Sequence, residues 1–112
     1  MSEYQNKAVQ LLEARHGFED CNDLENSRER FLQSALELFR ALGGTQNDAA
    51  AQFQKAFSTP VGTTADTIGD VMAAVAAISN IQDLDMMQAA YNMLDAGWRE
   101  IEADLPVRMR AR

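Results

Sequence analysis

The sequence predicts an all-α fold, a four-helix-type bundle with one extra short helix, and three observations carry that expectation. Apolar residues recur at helical spacing over four long segments. No stretch sustains the period of two that a half-buried strand requires. Capping and turn residues punctuate these segments. At 112 residues the chain reads as one domain, residues 1–112, large enough to build a core without disulfide or metal support.

The first helix is expected from Ser2 to Arg15, with Tyr4, Ala8, Leu11 and Leu12 on one side, Ser2 as cap and Gly17 as stop. His16 lies in the His16-Gly17-Phe18 corner, where a lone histidine suits the last carbonyls of a helix better than a metal. A second helix runs from about Leu24 to Leu42. It places Leu24, Phe31, Leu32, Ala35, Leu38, Phe39 and Leu42 on one broad face, and Gly43-Gly44 ends it. Glu37 falls almost opposite the middle of that apolar stripe. A short helix over Thr45 to Phe57 follows, with Asn47 as the expected cap and Ala50, Phe53, Ala56 and Phe57 as a weak apolar side. The run from Ser58 to Thr64 has the proline, glycine and hydroxyl residues of a loop.

Thr64 to Ile81 is the expected central helix. From Val71 to Ile81 it carries no charge, in a chain of which 24% is charged, and a helix without a charged face is normally buried on most sides. Ile68, Val71, Met72, Val75 and Ile78 form a bulky side. Gly69, Ala73, Ala76 and Ala77 form a small-residue side, and both sides are expected to be packed. The last helix starts after Asp85, in a sequence of capping-box form, and continues to about Asp104 before Pro106. Its stripe of Leu84, Met87, Tyr91, Leu94, Trp98, Ile101 and Leu105 is the clearest periodicity in the chain. It suits either an ordinary core or a dimer seam.

The formal net charge of −7 argues against a nucleic-acid partner, which would need a basic surface. Only residues 107–112 are basic, with Arg108, Arg110 and Arg112 forming a tail that reads as a flexible, solubilising end. The polar start of the chain and the brevity of its longest apolar run predict no leader, no membrane partner and a cytoplasmic location. Cys21, the one cysteine, reads as a reduced thiol in a polar run.

With one Cys and one His there is no zinc set, and Gly43-Gly44 lacks the downstream residues of a phosphate-cradling loop. Carboxylates on helices remain. Asp66 and Asp70 stand four residues apart and so on one helix face. The dipole at a helix start stabilises an acidic residue by about 0.3–1 kcal/mol, which accounts for Asp66. Asp70 lies beyond that first turn. Simple solvent exposure, an arginine such as Arg28, Arg30, Arg40 or Arg99, or a metal would each account for it.

The run Asp66-Thr67-Ile68-Gly69-Asp70-Val71-Met72, the alanine-rich helix after it, and Ile81-Gln82-Asp83-Leu84-Asp85-Met86 leading into a further helix resemble the third and fourth helices of the MazG-like all-α NTP pyrophosphatases. Gln33-Ser34-Ala35-Leu36-Glu37-Leu38 sits where that family has an E-E-x-x-E-L helix. The resemblance spans roughly Ala8 to Arg99 in helix order and spacing. It implies an obligate homodimer of helical subunits whose carboxylates, from the second and third helices, hold Mg²⁺ while a nucleoside triphosphate is cleaved between its α and β phosphates. Glu37 matches the last glutamate of the first motif, Asp70 the aspartate of the second, and Asp66 an acidic residue of its variant form. These three are the metal ligands the resemblance implies, with Lys55, Arg40 and Arg99 toward substrate phosphates and no catalytic residue assigned. Gln33, Ser34 and Thr67 stand where the family has glutamates.

Three functions follow as alternatives: a Mg²⁺-dependent nucleotide pyrophosphohydrolase, a non-catalytic MazG-like dimer serving as a binding or regulatory module, and a small acidic helical adaptor for a basic partner.

Overall fold

The computed structural model describes residues 1–106. Among them, helices follow in the order α1 (Glu3–His16), α2 (Phe18–Cys21), α3 (Leu24–Ala41), α4 (Gln46–Phe57), α5 (Thr64–Ile81) and α6 (Met86–Ala103), with no strand. The class is all-α, as the periodicity predicts, and the long helices occupy the expected segments. α2 is an addition. Gly17 takes a φ of 90° that a side chain would strain, and the chain re-enters helical geometry at once. The basic tail Arg108, Arg110 and Arg112 lies outside the described residues.

Local chemistry explains the boundaries. Ser2, Asp23, Thr45, Thr63 and Asp85 each cap the helix that follows by accepting a backbone N–H with the side chain. The cap of α4 is Thr45 rather than Asn47. Thr45 Oγ1 accepts the Asp48 N–H at 3.1 Å while Asp48 Oδ2 accepts the Thr45 N–H at 3.1 Å, which closes a full capping box. At α6 only half the expected box forms. Asp85 Oδ1 accepts from the Met87 and Gln88 amides, but the Gln88 side chain turns outward to Asn92 at 2.9 Å.

One joint is used twice. α3 and α5, each 18 residues long, end in left-handed residues, Gly43 at φ 92° and Asp83 at φ 56°. In both, the amide of the next residue donates back to a carbonyl five positions upstream: Gly44 to Phe39 at 2.9 Å and Leu84 to Ser79 at 2.8 Å. Thr45 and Asp85 then cap the following helices.

The core lies between α1 and α6. Leu11 is 0% exposed and Leu94 4%, and Gly97 is buried with them. The Tyr4 and Tyr91 rings meet edge to face at 5.4 Å, Leu11 packs on Gly97, and Arg15 reaches Glu100 at 3.6 Å. Because residue numbers rise together along both helices, α1 and α6 run parallel. Elsewhere α2 braces α1 and α3, and α5 packs sparsely on α6.

The four-helix arrangement is therefore not closed among the described residues of the chain. α3, α4 and α5 contain no buried residue, so the expected central helix, α5, is not central in the isolated chain. Its bulky side is only partly covered, with Val71, Val75 and Ile78 half-buried and Ile68 and Met72 exposed, and among the described residues nothing approaches Gly69 on its small-residue side. The α6 stripe is likewise divided: Leu94 is covered by α1, whereas Leu84, Met87 and Trp98 are exposed. The molecule measures 54 × 34 × 29 Å, with a radius of gyration of 16.6 Å. A compact chain of this length would have a radius of gyration of about 13 Å.

Candidate functional site

Glu37 stands exposed near the C-terminal end of α3 and lines two shallow grooves on opposite flanks of that helix. The inner groove, about 570 Å³, lies between α1, α2 and α3 and also receives Arg15, His16, Arg30, Gln33 and Ser34. The outer one, about 460 Å³, adds Glu29 and Arg40. Glu37 thus shares an open, polar surface with arginines on either side. It forms no ion pair among the described residues.

Arg30 is the organising cation of the inner groove. Its Nη1 lies 2.7 Å from Asp20 Oδ1, and its Nη2 donates to the Asp20 carbonyl at 3.2 Å, so the guanidinium ties α2 to α3. Ser27 supports the same corner by donating its hydroxyl to the Cys21 carbonyl at 3.0 Å. Cys21 is a free, half-buried thiol. The α2 corner escapes the periodic reading because a four-residue helix is too short to show a period. Gly17, set between two polar helical runs, was the available signal.

Asp66 and Asp70 occupy the first two turns of α5, both exposed. The Asp66 amide donates to Thr63 Oγ1 at 3.1 Å, which places this residue in the cap and gives its carboxylate the benefit of the helix dipole. Asp70 has no ion-pair partner among the described residues. Arg30, one of the arginines considered for it, is committed to Asp20. Exposure to solvent accounts for the Asp70 charge.

The implied ligand set does not converge in a single chain. α3 and α5 are not a packed pair, and among the described residues no three His, Cys, Asp or Glu side chains come together as a metal-holding group. The chain therefore offers Mg²⁺ the Asp66 and Asp70 carboxylates on α5 and, separately, Glu37 on α3. That donor set does not fit a resident metal. Lys55 lies exposed in the last turn of α4, Arg40 in the last turn of α3, and Arg99 on the exposed part of α6, so the three expected phosphate contacts belong to three different helices.

A more enclosed apolar hollow of about 560 Å³ lies where the start of α1 meets α5 and α6, walled by Tyr4, Met72, Val75, Met87 and Tyr91. Lys7 closes over the Tyr91 ring at 5.9 Å and pairs with Glu3 at 3.1 Å; the Glu3 hydrogen bond and charge hold the Lys7 ammonium above its ordinary pKa. No described helix is long and apolar enough to cross a membrane. Comparison with family models, with curated proteins and with solved structures finds no match.

Proposed function

We propose that this chain is a MazG-like helical subunit that acts as a homodimeric binding module rather than as an enzyme. The observation that carries this reading is the uncovered state of α3 and α5, the two helices that hold the acidic motif positions of the resemblance. Both expose apolar side chains that a folded protein normally hides, and both present acidic residues beside them. Association is the simplest cover for such faces. The loss of motif glutamates at Gln33, Ser34 and Thr67 supports binding without turnover, because fewer carboxylates remain to neutralise a metal and orient a triphosphate.

Light scattering of the purified chain at micromolar concentration tests the first half, and a monomer mass would overturn it. For the second half, Mg²⁺-nucleotide binding is followed by calorimetry across a panel of nucleoside triphosphates, alongside assays for released monophosphate and pyrophosphate. Binding without product is the expected result.

The pyrophosphohydrolase reading keeps one observation in its favour: Asp70 projects from the second turn of α5 without an ion-pair partner among the described residues. On that reading Asp66, Asp70 and Glu37 would hold Mg²⁺ only after association brings an α3 to an α5. Product formation that Asp70→Asn abolishes would favour catalysis at this carboxylate. Activity surviving Asp70→Asn would place any hydrolysis elsewhere.

A further inference from the structure

The hollow where the start of α1 meets α5 and α6 takes no part in the function proposed above. Its volume of about 560 Å³ is that of a small-molecule site, and its walls are mostly apolar and aromatic with a few polar groups.

Tyr4 and Tyr91 give it its character. Their ring centroids lie 5.4 Å apart with the planes at 76°, so the pair covers one ring face and leaves the others to a different neighbour. Met72 of α5 and Met86 and Met87 in the first turn of α6 add polarisable thioethers on unbranched side chains, which adapt to the shape of what they meet. Glu3, at the start of α1, is the one charged residue in the lining. Electron-rich ring faces, soft sulfur and a carboxylate thus border one space, and no described cation lines it.

The protein itself shows what this surface attracts. Lys7, outside the walls, holds its ammonium 5.9 Å from the Tyr91 centroid, within cation–π reach, and 3.1 Å from Glu3. A cation inside the hollow would meet few strong side-chain acceptors, since these are confined to Ser2, Glu3 and the two tyrosine hydroxyls. A quaternary ammonium has no N–H to satisfy and spreads its charge over alkyl groups, so it loses less than a primary ammonium on leaving water.

We propose that the hollow between α1, α5 and α6 binds a quaternary ammonium compound, its charged head against Tyr4, Tyr91 and Glu3 and an apolar body against the three methionines. Lys7 competes with the head for Glu3 and the Tyr91 ring. The site is complete within one chain, so it stands or falls apart from the homodimer reading.

NMR titration of the full chain, labelled at the methionine methyls, tests this with benzyltrimethylammonium, with choline, and with 3,3-dimethylbutan-1-ol, the uncharged carbon isostere of choline. Saturable shifts are expected at Met72, Met86 and Met87 but not at Met93, with benzyltrimethylammonium binding tightest and the isostere about tenfold weaker than choline. Glu3 and Lys7 are both largely exposed, so their substitution leaves the fold intact. Glu3→Gln should weaken binding about twofold to fivefold and Lys7→Gln should strengthen it by a similar factor. Tyr91→Leu should abolish it, with helix content checked by circular dichroism. An isostere that binds as well as choline, methionine shifts that do not saturate, or Glu3 and Lys7 variants that change affinity in the same direction would overturn the assignment. So would an affinity that falls as protein concentration rises, which would make a second copy of the chain the occupant of the hollow.

Discussion

Leu11 on α1 packs directly on the bare backbone of Gly97 on α6, so closely that a Cβ built at position 97 would lie 2.7 Å from Leu11 Cδ2 and 2.8 Å from Arg15 Nη2. Leu11 is the one side chain among the described residues with no exposure, which makes this contact the centre of the core.

Gly97→Ala should therefore destabilise the protein by about 1–2 kcal/mol, because overpacking against an immobile leucine exceeds the roughly 1 kcal/mol an alanine contributes in a helix interior. The Arg15 end is flexible and yields; Leu11 does not. Leu11→Ala should cost about 2–5 kcal/mol by opening a cavity at the same point. Urea midpoints at one fixed protein concentration measure both. A neutral or stabilising Gly97→Ala would mean that α1 and α6 stand farther apart.

The paired helix ends predict substitutions of opposite sign. Asp83 sits at φ 56°, where a non-glycine residue is strained, and Asp83→Gly should raise stability by roughly 1 kcal/mol. Gly43→Ala, at φ 92°, should lower it by about as much. Thermal melts at matched concentration check the pair. Equal shifts in the same direction would contradict the shared geometry.

The start of α4 should respond to acid. The Thr45 backbone hydrogen bond, then its hydroxyl, holds the Asp48 carboxyl below its ordinary pKa. A carboxylate depressed in the folded state contributes stability that is fully present above the unfolded value of about 3.9 and is lost as pH falls through the lower folded value. Asp48→Asn should remove that pH dependence, and Thr45→Ala should cost about 1 kcal/mol at neutral pH. Carboxyl titration by NMR reads the Asp48 pKa directly; a value at or above the ordinary one would refute the box.

The candidate site was legible in part. The i,i+4 spacing of Asp66 and Asp70 on one exposed helix face follows from helical geometry alone, and the structure shows both in place. That Glu37 belongs to a helix unpaired with α5, and that Arg30 is held by Asp20, did not show in any spacing. Those relationships join residues on different helices, and their directions are set by turns such as the φ 90° joint at Gly17.

By itself the sequence determined the local matters: the all-α class, the long helices, and most of their starts and stops. Caps, left-handed ends and apolar periodicity act within about four residues along the chain, so they can be read without knowing what lies across from them. Only the tertiary structure decided which apolar faces find cover. The stripes of α3, α5 and α6 look alike in sequence, yet α1 covers Leu94 and Gly97 of α6 while α3 and α5 keep no buried residue. Hydrophobic burial is non-directional and names no partner. Which stripe meets which depends on the directions the connections impose, and those leave α3, α4 and α5 without a buried residue.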